Sequence, residues 1–182
     1  MKHFPWYTSI LLGLLIFTQC KKEEARPEIP QETINGLTLK LLASDGSDST
    51  FLSYSDPDGE GGLDPVIIGG SIKLGKIYVG ILSFYDDTSE VTDLIRDTAE
   101  DHQLFFSAPS ELSVIFNYED QDGNGRPVGI LSSWTSGKKS SGLLRISLIH
   151  QPDKAAQGVA QGNLNTAGGK IDIEVDIPLS VN

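Results

Sequence analysis

Cysteine is all but absent. Cys20 is the single one in 182 residues, so no disulfide can close within the chain and burial must hold the fold. The N-terminal apolar stretch, Ile10 to Phe17, is far short of the ~20 residues a membrane-spanning helix needs. Basic residues are scarce: 14 Lys and Arg stand against 25 Asp and Glu, a formal net charge of -11. That field makes nucleic acid and anionic lipid headgroups poor partners, and it suits cations or a partner with a basic rim. Catalytic signatures are missing too. No serine sits in a Gly-x-Ser-x-Gly elbow, and there is no His-Glu-x-x-His and no phosphate-binding loop. The expectation is a protein that is not an enzyme.

What is present starts with an export signal. Lys2 and the apolar core Ile10–Phe17 make residues 1–19 a signal peptide. A lone cysteine directly after such a core reads as the lipid-modified N-terminus of a bacterial lipoprotein, with Cys20 as the thioether acceptor. Phe17-Thr18-Gln19-Cys20 is similar to a lipobox, although Leu is usual three places before the cysteine and a small residue just before it. Lys21-Lys22-Glu23-Glu24 resembles the tag that sends Bacteroidota lipoproteins to the outer face. Residues 20–32, with Arg26-Pro27-Glu28-Ile29-Pro30, are too polar and Pro-rich to fold and form a tether. Residues 33–182 are long enough for one domain with a real core. The expected location is the outer membrane, anchored by lipid and facing the exterior.

Within that domain, short apolar runs alternate with Gly, Asp, Ser and Asn clusters, which predicts strands and tight turns. Tyr54, Asp56, Asp58, Gly59 and Gly61 reappear 64 positions later as Tyr118, Asp120, Asp122, Gly123 and Gly125. Pro65, Val66, Gly75, Lys76 and Gly80 reappear 62 positions later. This reads as one strand–turn–strand unit used twice. In the last strand Ile171, Ile173, Val175, Ile177, Leu179 and Val181 alternate with Asp172, Glu174, Asp176, Pro178 and Ser180, predicting a half-buried strand with a charged outer face. Pro178 points to a sheet edge or bulge. Asp86 to Asp101 lacks Gly and Pro and spaces Val91, Leu94, Ile95 and Thr98 helically. It predicts a short acidic helix capped by Thr88 or Ser89. The expected fold is all-β: an antiparallel immunoglobulin-like sandwich of about nine strands with an internal duplication and that one helix.

Two constellations could hold ions. Asp56, Asp58, Glu60 and Gly61, then Asp120, Asp122, Asn124 and Gly125, give the opening half of a calcium loop. The twelfth positions are Ile67 and Leu131, so neither is an EF-hand. Turn chemistry alone also accounts for these residues, because Asp and Gly suit left-handed backbone and Asx bonds. Two histidines follow the signal, His102 and His150. With the helix carboxylates Asp97, Glu100 and Asp101 they are candidates for a transition-metal site, or as axial ligands to haem. The plain alternatives are a helix C-terminal cation for His102 and a surface strand end for His150.

The domain resembles a family of Bacteroidota surface lipoproteins of unknown function. The resemblance rests on the Asp-x-Asp-Gly-x-Gly turn before Pro-Val, Asp101-His102-Gln103, and Asn124-Gly125-Arg126-Pro127-Val128-Gly129. Ile149-His150-Gln151-Pro152-Asp153-Lys154 and Gly168-Gly169-Lys170-Ile171-Asp172-Ile173-Glu174-Val175 complete it. Members are often labelled as type 1 periplasmic-binding-fold proteins, an α/β label at odds with the β-rich pattern here. They tend to occur beside TonB-dependent receptors. The resemblance implies an accessory role in nutrient or metal capture with such a receptor.

Overall fold

The computed structural model describes Met1, residues 34–59 and residues 61–182. The rest of the signal peptide, Cys20, the tether and Glu60 lie outside the described residues. Among the described residues no helix is long and apolar enough to cross a membrane.

Two sheets form the domain. The first holds β3 (Val66–Ile68), β2 (Ser49–Ser55), β1 (Gly36–Ala43), β5 (Ile77–Asp86), β9 (Leu131–Ser136) and β8 (Val114–Tyr118), in that spatial order. A two-residue β6 (Ser89–Glu90) pairs with the end of β5. The second runs β4 (Gly70–Ile72), β11 (Lys170–Val181), β10 (Ser140–His150), β7 (His102–Ser107). All pairings are antiparallel except β11 with β4. Alternating apolar positions of both sheets face each other, so Leu37, Leu39, Leu41, Phe84 and Trp134 meet Leu104, Leu144, Ile146 and Ile177 in one buried core. The described residues thus form a mostly β, sandwich-like domain with one short α-helix.

Three expectations change. The apolar run Val66 to Leu74, which patterning alone reads as one strand, is two, because the chain leaves one sheet for the other at Gly69. A Cβ there would come within 2.7 Å of the Pro178 carbonyl oxygen. Pro178 itself lies where β11 lacks a second neighbour, since β4 begins pairing only at Leu179. The helix is shorter than its periodicity suggested: α1 spans Thr92–Asp97, followed by a 3-10 turn Ala99–Asp101. Asp86 stays in β5, and Ser89 and Glu90 pair back onto it, so neither Thr88 nor Ser89 caps. The N-cap position is Val91, without a side-chain cap. Thr92 anchors the entry instead, accepting from Phe84 N–H and donating to Glu90. Ile95 is fully buried while Leu94 is exposed.

The third change concerns the twinned turns. Both join antiparallel neighbours, but Tyr54 faces Ile67 whereas Tyr118 faces Ser132, at opposite edges of the same sheet. They differ in register, and of their two matched glycine pairs only Gly61 and Gly125 are both left-handed.

Residues 152–169, for which periodicity gave no element, cover the outer face of the second sheet. Val159 and Ala167 pack there on Phe105 and Ile149 as a second small core, and Gln103 donates to the Val159 carbonyl.

Candidate metal centre

Antiparallel pairing sets the first strand residue of β7 against the last of β10, so His102 stands directly opposite His150. Both lie on the face that carries Leu104 and Leu148 into the core, and the two are 1% and 5% exposed. Directly opposed side chains meet across a ladder. His150 Nδ1 lies 3.0 Å from His102 Nε2, with the rings edge to face.

The third member is Asp172. Leu148 pairs with Ile173 and Ile149 with Ile171, so Asp172 is the extra residue of a β-bulge. A bulge re-aims the side chains around it. Ile171, which alternation places inside, is 53% exposed. Asp172, expected on the charged outer face, has a side chain with no exposure. Its Oδ2 lies 3.5 Å from His102 Nε2 and 3.8 Å from His150 Nδ1. Neither carboxylate oxygen accepts a hydrogen bond.

Special backbone surrounds this corner. Gln151, next after His150, has φ +52°, a left-handed conformation uncommon outside Gly and Asn. Its N–H donates to the Asp101 carbonyl at 2.6 Å, tying the residue after one histidine to the residue before the other. Gly169 runs so close to β10 that a Cβ would meet the His150 carbonyl oxygen at 2.5 Å.

The proton positions follow from the partners. His102 Nδ1 is 3.0 Å from the Thr98 carbonyl and 3.0 Å from Thr98 Oγ1, and that hydroxyl already donates to Leu94 O. Both oxygens can only accept, so Nδ1 carries a proton, and in the neutral ring Nε2 then presents a lone pair. A ligating histidine held by a carbonyl at its other nitrogen is the usual outer support of a metal site. Tetrahedral zinc with nitrogen and oxygen ligands spaces its donor atoms about 3.3 Å apart. The observed 3.0, 3.5 and 3.8 Å bracket that spacing. Two imidazoles and a carboxylate suit zinc and neighbouring transition ions, whereas calcium and magnesium want oxygen throughout.

Of the residues singled out beforehand, the histidines come together and the helix carboxylates stay out. Asp97 and Glu100 are exposed, and Asp101 contributes its backbone carbonyl to Gln151. Among the described residues His102, His150 and Asp172 are the one such grouping of three or more. Haem does not fit, because rings with centroids 4.8 Å apart in edge contact leave no slot for a macrocycle between them. The calcium candidates are engaged differently. Asp120 accepts from the N–H groups of Gly129 and Leu131. Asp122 accepts from Asn124 and Arg126 N–H and from Lys154. Asp58 accepts from Leu63 N–H, and Asn124 is exposed. Asp56 accepts from Tyr54 through one oxygen; its other is buried without a partner, and among the described residues Asp56 belongs to no group of three ligand side chains.

A cleft of about 310 Å³ on the outer face of the second sheet offers less. Of its charged lining residues, Arg145 pairs with Glu174 and with Asp176 outside it, and Glu174 accepts from Ser147.

Asp172 was the residue sequence reasoning missed. Period-2 alternation assigns it outward, and the signal that could have corrected this was Gly168-Gly169 just ahead, a place where a ladder can slip.

Comparison with family models, with curated proteins and with solved structures gives no match to this chain.

Proposed function

We propose that this chain is an exported, lipid-anchored module of the outer membrane that binds one divalent transition-metal ion without catalysing a reaction. It serves metal capture beside a TonB-dependent receptor. The observation that carries the metal is Asp172, a buried carboxylate with no hydrogen-bond donor, facing two imidazole nitrogens. The two imidazoles pair with it only as cations. Burying a carboxylate beside neutral rings is costly, and a divalent cation among the three ligand atoms removes that cost. Export and anchoring rest on residues 1–24, and the receptor rests on the family resemblance. The net charge of -11 favours cations in the surrounding solvent.

Metal content and thermal melting of the purified chain test the proposal. Zinc at a hundred times its dissociation constant should stabilise the fold by about 2.7 kcal/mol, and calcium should not. Absence of a zinc, nickel, cobalt or copper response overturns the metal and leaves a histidine pair bridged by a proton. A second reading, an ion clamping a structural or adhesive module, draws on the same burial. In capture the ion passes to a competing chelator while the domain stays folded; in a clamp its removal melts the domain.

A further inference from the structure

Lys154 is a buried cation, its side chain 3% exposed, in a class of residue almost never buried unless paired. Its Nζ lies 2.9 Å from Asp122 Oδ2 and 2.7 Å from the Ala99 carbonyl oxygen. Burial depresses its pKa and the Asp122 carboxylate opposes that shift. Asp122 has its own support, the Asn124 and Arg126 N–H groups on Oδ1, and these with Lys154 hold its carboxyl below the usual value against burial. Three segments distant in sequence therefore meet at one ammonium: residues 152–169, the second Asp-Gly turn, and the 3-10 turn Ala99–Asp101.

A buried ion pair is a poor means of gaining stability, since apolar residues of the same volume often serve equally well. This pair has a geometric consequence. Ala99 begins the turn that ends one residue before His102, and Thr98, just ahead of Ala99, supplies both oxygens that face His102 Nδ1. Two struts fix that turn to the His150 side: Gln151 N–H on the Asp101 carbonyl, and Lys154 on the Ala99 carbonyl. The first is backbone to backbone. The second is a side chain, and it reaches onward to Asp122.

We propose that Lys154, braced by Asp122, is a positioning residue for the metal centre: it holds the Thr98–Asp101 turn where His102 Nδ1–H stays on Thr98 and Nε2 stays aimed at Asp172 and His150. It touches none of the three ligand atoms and acts through the turn. By this route the second Asp-Gly turn, which resembles half a calcium loop, serves the metal site as its outer brace. The inference rests on the metal reading above.

The test uses the full chain in detergent, comparing wild type with the double variant Lys154→Met, Asp122→Asn. The pair is changed together because Lys154→Met alone strands a buried carboxylate, while Asp122→Asn keeps an acceptor for the turn N–H groups. Zinc affinity is read by competition with a chromophoric chelator. The His102 tautomer in the metal-free chain is read from ¹⁵N–¹H correlations. The double variant should fold, bind zinc 10- to 100-fold more weakly, the range for loss of an outer-shell partner, and lose the single Nδ1–H form of His102. Wild-type zinc affinity with an unchanged tautomer overturns the proposal. If the double variant does not fold, Lys154→Gln, whose shorter side chain offers Asp122 a neutral donor but gives up the strut to the Ala99 carbonyl, carries the same two readouts. A wild-type chain that takes no zinc, yet whose His102 tautomer still depends on Lys154, removes the metal and upholds the positioning of His102.

Discussion

Two corners of this domain gather buried or half-buried carboxylates beside turns, and they differ in what faces the oxygens. At the second Asp-Gly turn, Asp120 and Asp122 are met by four backbone N–H groups and one ammonium. At the bulge, Asp172 is met by two imidazole nitrogens, and neither carboxylate oxygen accepts a hydrogen bond. The first corner has a calcium-loop spacing and satisfied oxygens; the second has no motif and an unsatisfied carboxylate. The capacity to bind a cation follows from which acceptors remain unpaired and how the ligand atoms are spaced.

The contrast is sharpest at Asp172. Asp172→Ala should abolish zinc binding, lowering affinity by more than about a hundredfold, and the metal-free domain should melt no lower than wild type because an uncompensated buried carboxylate has gone. Chelator competition and calorimetry measure the two arms. Weakened zinc binding on Asp120→Ala together with intact binding on Asp172→Ala would reverse the assignment.

Ligand response comes next. Saturating zinc should raise the wild-type melting point by about 5–10 °C, as ~2.7 kcal/mol does in a domain of this size. Calcium should leave it unmoved. Scanning fluorimetry with each ion separates the corners directly.

Asp120→Ala should act on stability alone. Removing a charged acceptor from the Gly129 and Leu131 N–H groups should cost about 2 kcal/mol, read in urea unfolding, with zinc affinity unchanged.

The smallest effect belongs to Asp176, whose carboxyl the hydrogen-bonded Arg145 guanidinium holds below its ordinary value. A carboxyl lowered by folding adds stability above the usual carboxylate range and loses it as pH falls through the lowered value. Asp176→Asn should therefore flatten the acid limb of the stability profile slightly. The pair is exposed, so high salt should shrink the difference further.

Much of this was legible along the chain. The alternation of strands with tight turns and the inward set Ile173 to Val181 follow from period-2 patterning. Val91, Ile95 and Thr98 mark a helical segment, but local propensity starts it too early, because Ser89 and Glu90 find backbone partners in β5 that it does not register. His102 and His150 were legible as candidates, one read at a helix end and one at a strand end. Their meeting required knowing that β7 and β10 are antiparallel neighbours in a register that opposes them.

The sequence by itself determined the β-rich class, the apolar faces, the acidic surface and the residue types able to ligate a transition ion, since these depend on composition and short-range period. Tertiary structure alone decided which carboxylate joins the histidines. One extra residue in β11 turns Ile171 out and Asp172 in, and a register slip of that kind is settled by packing between strands that lie far apart in the chain.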